Sequence, residues 1–435
     1  MRQFPRRACV LNECVLIVHG EKNMTSKSFY RFTTQLLPLI AIVALLSPAW
    51  AASNGRVIYS FTGGNDGGDP ASQLAFDSAG NAYGTTVRGG DSDCGTVFQL
   101  KPSGNNWLLN TLYSFTCLND GKNPYGGVTL DAAGNLYGTT VAGGSGGFCA
   151  GDGCGTVYEL IKSGSSWTQT VLYNFTGGND GFGPGGAVVF DKDGNLYGTT
   201  PDGGVDGEGV VYALSPGQGG QWNQNVIHAF TGGTDGGVGA LGSLLFLNGN
   251  FYGVTELGGD FGAGTVFQLS PSGRGWAFTT IHQFQGLPHA GFPYGGLIPD
   301  GHGRLLGTTY FGGADGMGTV FALARVGGQV KETLVHSFTG GDDGANPTST
   351  PAFNKAGNLY ITTSGGGNPG CQCGTIFEVK PSNGGVKGNS IYSFTGNVDG
   401  GFPNYGLTMD MSGNLYGTTP VGGAQNGGVI FSFTP

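Results

Sequence analysis

Charge is scarce in this sequence, positive charge above all: 19 Lys and Arg and 28 Asp and Glu are spread over 435 residues. So little charge argues against a disordered chain, and so few basic residues leave no patch for nucleic acid or an anionic membrane. No helical period appears after residue 52, and the 89 Gly fall in no collagen-like period. A nucleophile elbow, a phosphate loop and a His-Glu-x-x-His are all missing, which removes the enzyme classes marked by a short motif.

What is present is one phrase written seven times. Gly-Asn-Leu-Tyr-Gly-Thr-Thr, or a close variant, places Tyr83, Tyr137, Tyr197, Tyr252, Tyr360 and Tyr416, with Leu306 standing in once, at spacings of 54 to 60 residues. A period of that length marks a repeat architecture. In the second unit Tyr125–Asp131 reads as strand a, Asn135–Thr140 as b, Gly155–Leu160 as c and Trp167–Thr176 as d. The runs are rich in Val, Tyr, Phe and Thr and are bounded by Gly, Asn, Asp and Pro. Four strands per unit fit a β-propeller blade. The strand-d Phe recurs at Phe61, Phe115, Phe175, Phe230, Phe284, Phe338 and Phe394. Repetition begins with a lone strand d, Val57–Thr62, and ends on a strand c, Gly428–Phe433. The reading is an all-β, seven-bladed propeller over residues 52–435, its ring closed by the N-terminal strand completing the last blade, which removes the end edges.

Residues 1–51 read as a leader. Lys27 and Arg31 precede the apolar run Leu36–Leu46, then Ser47-Pro48 and Ala49-Trp50-Ala51. That is a signal peptide with Met24 as its start, and its apolar run is too short to cross a bilayer. Without it the chain keeps 13 Lys and Arg against 26 Asp and Glu. The expected location is extracytoplasmic, secreted or periplasmic, with no membrane insertion and no nucleic-acid partner, and the mature protein is expected to be a monomer. In an oxidising compartment its six remaining cysteines pair. Cys94 and Cys117 face each other across the c–d hairpin, and Cys149 with Cys154 and Cys371 with Cys373 each share a b–c loop. A soft-metal site built from the last two pairs is the alternative, against which stands their separation by four blades.

The a–b and c–d turns are tight and lie on one face of the disc. The b–c and d–a loops, longer and Gly-rich, lie on the other, where binding residues on a rigid scaffold are expected. There the d–a loops supply Asp66, Asp120, Asp180, Asp235, Asp343 and Asp399. A ring of carboxylates suits Ca²⁺ or a cationic ligand; an Asp before Gly also caps its own turn. No cofactor is otherwise expected. Glu208, Glu256, Asp260 and Asp315 are acids that break the repeat, as a general acid and base for glycoside cleavage must. Asp191-Lys-Asp193-Gly-Asn195 resembles the start of an EF-hand loop, but it lies on the hairpin that every unit shares. Trp107, Trp167, Trp222 and Trp276 share one register, eight residues before the strand-d Phe, with Val330 and Val386 in the next two units. They read either as sugar platforms or as covers for hairpin ends. His228, His282 and His336 replace the strand-d Tyr of other units.

The whole unit, Gly-Asn-Leu-Tyr-Gly-Thr-Thr-x-x-Gly-Gly through Gly-Thr-Val-Phe to Leu-Tyr-Ser-Phe-Thr-Gly-Gly-x-Asp-Gly, resembles the GloVer-type tandem repeat of exported bacterial proteins, a choice-of-anchor repeat, from Val57 to Pro435. That resemblance implies an exported repeat region of the kind joined to differing C-terminal surface anchors. This chain departs from it by ending on a strand, without an apolar tail or basic terminus, so a released or periplasmic protein is expected. Asp-x-x-Gly-Asn between strands a and b is also similar to NHL-type propellers, which implies partner binding. The expectation is a binding module for an extracellular glycan or a surface protein. The alternatives are a polysaccharide hydrolase or lyase using loop carboxylates, and a structural surface repeat.

Overall fold

In the computed structural model the described residues are 55–435, apart from 146, 148, 150, 151, 165, 240, 241, 274, 383 and 384; the leader and its start at Met24 lie outside them. Seven antiparallel sheets follow one another along the chain. Blade 1 shows the pattern. Strand a comes in two pieces, Gly68–Pro70 and Ala75–Phe76, followed by b, Ala82–Arg88, c, Thr96–Ser103, and d, Asn106–Ser114. Among the described residues the only helical turn is the 3₁₀ segment Gln218–Gly220, and no helix is long and apolar enough to cross a membrane.

The repeated phrases account for the sheet. Thr86 of strand b and Thr96 of strand c join their hydroxyls at 2.9 Å. The same pair recurs as Thr140 with Thr156, Thr255 with Thr265, Thr309 with Thr319 and Thr363 with Thr375. The Gly that opens strand c lets the next blade approach. A Cβ on Gly95, whose φ is +95°, would meet Thr86 O at 2.3 Å and Pro124 Cδ of blade 2 at 2.6 Å. In every blade the c–d register shifts by one residue at the same point, between Val97 and Phe98 in blade 1. Such a bulge re-aims the side chains beyond it, and here it turns Tyr113 toward the d–a loop.

Each of seven apolar clusters combines residues of two neighbouring blades. Tyr83 and Val97 of blade 1, for example, pack with Leu136 and Tyr158 of blade 2. The seven strand-d Phe are all fully buried. Blade 7 consists of Thr408–Met409, Leu415–Thr419, Val429–Phe433 and, as its outer strand, Gly55–Ser60. The seam is bonded like the other joints: Thr408 Oγ1 donates to Leu74 O at 2.6 Å and Gln73 Nε2 to Leu407 O at 2.8 Å, as Thr129 Oγ1 does to Val188 O at 2.6 Å between blades 2 and 3. The innermost strand is shorter than its sequence suggests. In blade 2 it covers only Val128–Leu130, because Tyr125–Gly127 leave the sheet for the centre of the ring. There a Cβ on Gly126 would touch Gly186 of blade 3 at 2.6 Å.

Candidate binding surface around the propeller axis

The six repeated aspartates hold their own loops. Asp120 accepts hydrogen bonds from Tyr113 OH at 2.9 Å, Thr116 N at 2.8 Å and Thr116 Oγ1 at 2.6 Å. Asp66, Asp180 and Asp399 are bound in the same way by a strand-d Tyr and a loop Thr. For Asp235 and Asp343 the Tyr is replaced by His228 and His336, each with Nε2 at 3.0 Å. Burial pushes the His228 imidazole below its usual value, against the pull of Asp235. Where the fifth loop lacks the Asp, His282 turns to Glu332 of the next blade at 2.8 Å. Both oxygens of each aspartate thus face its own loop, at the outer side of the disc. Among the described residues no three acidic, His or Cys side chains gather as metal ligands.

The same face carries the three disulfides, Cys94–Cys117, Cys149–Cys154 and Cys371–Cys373, with Cα separations of 5.4, 5.4 and 5.2 Å. Glu208 lies against Gly232 and Gly237 of the next d–a loop. Asp260 is exposed at a loop tip, its backbone N–H donating to Gln283 Oε1 at 2.6 Å.

Nearer the axis the repeat breaks down. Where the chain enters each blade stands a residue of left-handed φ: Asp69 (56°), Asn123 (56°), Gly183 (69°), Val238 (48°), Phe292 (61°), Asn346 (53°) and Phe402 (57°). Six of these seven donate their N–H to the preceding b–c loop, at 2.7 to 3.0 Å. Gly, Asn and Asp tolerate that conformation, but Val238, Phe292 and Phe402 are strained by it. Just beyond stand Tyr125 of blade 2, Tyr294 of blade 5 and, one position further in, Tyr405 of blade 7. Arg88 is the last residue of strand b in blade 1, and Glu256 the last but one of strand b, Asn250–Leu257, in blade 4.

Electrostatics ties these residues into one group across the ring. Burial, then Tyr125, Asp69 and Tyr294, hold the Tyr405 hydroxyl well above its usual value. Burial, then Glu256, Tyr125 and Tyr310, raise that of Tyr294. Burial and Asp69 raise Tyr125 against the opposing charge of Arg88. Burial likewise raises the carboxyls of Glu256 and Asp69, the latter against Arg88, and that of Asp202 with the help of Glu208. Blade 5 adds an aromatic wall: Tyr294 lies 6.4 Å from Tyr310, and Phe292 lies 5.7 Å from Phe311.

The side chains of Asp69, Arg88, Tyr125, Glu256, Tyr294 and Tyr405 are absent from the hydrogen bonds and ion pairs among the described residues. The repeated tyrosines behave differently. Tyr83, Tyr137, Tyr197 and Tyr416 each donate to the aspartate of their a–b turn. Polar groups that are half withdrawn from water normally find partners; five of these six are so withdrawn and Arg88 is exposed beside them, and together, converging from blades 1, 2, 4, 5 and 7, they offer hydrogen-bonding groups that a ligand can use. Glu256 stands out in the sequence as a break in the repeat. Of the other five, three were legible only as variable positions beside a recurring Pro, in Asp69-Pro70, Pro124-Tyr125 and Pro293-Tyr294, while Arg88 and Tyr405 carry no such mark.

The opposite face has grooves between blades. One of about 580 Å³ runs along the seam of blades 7 and 1, with Trp107, Tyr416, Phe76 and Met409 in its walls. Another of about 350 Å³ lies between blades 4 and 5. The four Trp sit here as covers over the preceding blade: Trp107 meets Tyr416 edge-on at 5.7 Å, and Trp276 meets Tyr197 at 5.6 Å.

The Gloeobacter/Verrucomicrobia repeat model matches residues 46–243 and again 239–435. Among curated proteins no relative is found. Among solved structures, a candidate 6-phosphogluconolactonase from Bacteroides uniformis is 12% identical, with 78% of this chain and 88% of that one covered and a TM-score of 0.50. A gluconolactonase from Xanthomonas campestris is 12% identical, with 88% and 89% covered and a TM-score of 0.41. At such identity the first likeness is one of fold.

Proposed function

The chain belongs to the Gloeobacter/Verrucomicrobia repeat family, and on that premise we propose that it is an extracytoplasmic binding propeller that takes an extracellular glycan at its axial mouth. One observation carries this reading: six polar side chains without a hydrogen-bond or ion-pair partner among the described residues converge beside an aromatic wall. Sugars need that combination, hydroxyl partners at the edge of the ring and aromatic surface beneath it. Three disulfides support the compartment, since such bonds persist where the surroundings oxidise. The repeated aspartates, Glu208 and Asp260 surround this mouth as loop supports and rim.

The test is a calorimetric screen of the mature chain, residues 52–435, against a panel of soluble polysaccharides, with and without Ca²⁺. Tyr294→Ala and Arg88→Ala should each weaken the binding found by roughly tenfold or more, the loss of one desolvated contact, without lowering the melting temperature. A blank panel, or binding indifferent to both variants, overturns the proposal. Glu256 gives the hydrolase reading its own footing, because burial favours the protonated carboxyl that a general acid needs. Release of new chain ends that stops in Glu256→Gln, with binding intact, would make the protein an enzyme.

A further inference from the structure

The groove between blades 4 and 5 is a place where the chain omits a ring that it supplies elsewhere. In blades 1 to 4 a Trp lies over the strand-b Tyr of the preceding blade, in two cases edge-on at 5.7 and 5.6 Å. Trp276 also donates its Nε1–H to Tyr197 OH at 3.3 Å. In blade 5 the register holds Val330, while the Tyr it should cover, Tyr252 of blade 4, is still present. Tyr252 has also lost its turn partner, because the shorter a–b turn of blade 4 places Leu247 where five other blades have Asp and blade 6 has Asn354.

The consequence is a groove of about 350 Å³ whose apolar walls include Tyr252, Ile281, Leu323 and Val330, within the range of small-molecule sites. Its rim is cationic, although the chain as a whole is acidic. Arg304 and Arg325 both line it. Arg304 is engaged by Asp300 at 2.6 Å, whereas the one hydrogen bond of Arg325 goes to the neutral Gln268, at 3.4 Å. Arg325 is thus a guanidinium without an acidic partner among the described residues, and a carboxylate is the group its planar fork matches best.

We propose that this groove binds a small aromatic carboxylate, its ring taking the place of the missing indole over Tyr252 and its acid group meeting Arg325. The site is independent of the axial mouth and lies on the other face. The same chain shows the bound geometry, since Trp276 over Tyr197 is the filled version of the vacant position. A void with apolar walls and no side chain to fill it takes a ring of matching shape.

Indole-3-acetate is the probe, titrated calorimetrically into the mature chain beside indole and tryptamine. Saturable binding on the order of 0.1–1 mM is expected for so small a ligand, with tryptamine at least roughly tenfold weaker because its charge opposes Arg325. Val330→Trp refills the groove from within and should abolish binding with no fall in melting temperature. Arg325→Ala, an exposed change, should weaken the acid by roughly tenfold, the loss of a charge-assisted bond, and leave indole unchanged. Transferred NMR contacts from the probe to the methyls of Ile281 and Leu323 locate the site even if Val330→Trp folds poorly. No saturation by 10 mM (about ten times the expected range), unchanged affinity in a folded Val330→Trp, or contacts elsewhere on the molecule would overturn the proposal.

Discussion

Removing two oxygen atoms should make this protein more stable. Strand c carries Phe98, Phe267, Phe321, Phe377 and Phe431 in five blades but Tyr158 and Tyr212 in blades 2 and 3, and both of those hydroxyls are buried without a hydrogen-bond partner. They are pressed toward the strand-b glycines: a Cβ on Gly138 or Gly198 would lie 2.4 Å from the oxygen. Each ring makes the edge contact that Phe makes elsewhere: Phe115–Tyr158 at 5.2 Å and Phe175–Tyr212 at 5.1 Å, against 5.3 Å for Phe61–Phe98. Tyr→Phe therefore keeps the packing and removes only an unpaid desolvation cost, worth about 1 kcal/mol per site and up to about 3.

The two rings belong to different clusters, so the effects should add. With an unfolding entropy of about 2 cal/mol/K per residue over some 380 residues, each kcal/mol raises the melting temperature by about 1.3 °C. The double variant should gain about 2.5 °C or more in scanning calorimetry, by the same conversion, with its denaturant slope unchanged. Phe98→Tyr, which installs the hydroxyl in blade 1, should lose a comparable amount. A double variant that melts at or below the parent would refute the reasoning and mean that both hydroxyls are bonded to trapped water.

Other consequences can be measured separately. Asp399, 1% exposed, anchors Tyr392 OH at 2.6 Å and Thr395 N at 2.9 Å; Asp399→Ala should cost roughly 2–4 kcal/mol by leaving those donors unpaired. Because the repeated aspartates are occupied by their own loops, EDTA should leave the melting temperature unchanged, and a fall would instead place Ca²⁺ on that ring. Gly95→Ala meets backbone at 2.3 Å and should cost roughly 3 kcal/mol or more, whereas Gly104→Ala, at a turn with open space around it, should cost about 1 kcal/mol for its left-handed backbone alone. Burial would raise the carboxyls of Asp77, Asp191, Asp300 and Asp410, but hydrogen bonds from Asn81, Asn195, Arg304 and Asn414 and from nearby backbone hold them below their usual value. The unfolded chain then binds more protons, so their stabilisation is complete above the unfolded value of about 3.9 and is lost as pH falls through the folded ones. Melting temperature should decline below about pH 4, less steeply in Asp410→Asn; a rise on acidification would show that the raised groups, Asp69, Asp202 and Glu256, outweigh them.

The ring was legible because its determinants repeat. Gly95, Thr86, Thr96 and Phe115 do in blade 1 what their counterparts do in the other blades, so seven copies reveal one structural rule, and the cysteine pairs follow from the hairpins that the rule builds. Where a residue acts across blades, position in the repeat says little. Tyr125 begins a run that alternates like a strand, but the close approach of Gly126 to Gly186 draws it inward. Tyr294 and Tyr405 meet it there from blades three and five units further along the chain. The partnership of His282 with Glu332 is hidden for the same reason. The four Trp have a visible register, but only the rings beneath them show what they cover.

The closing strand also determines how the molecule yields to force. Gly55 pairs with Phe433 and Ser60 with Val429, so both chain ends leave the seam at the same end of the pair. A load between them peels the strands apart one bond at a time instead of shearing all of them together. Pulled by both ends, the propeller should open at this seam at low tension, with the other six blades still folded. Held by one end only, the seam carries no load.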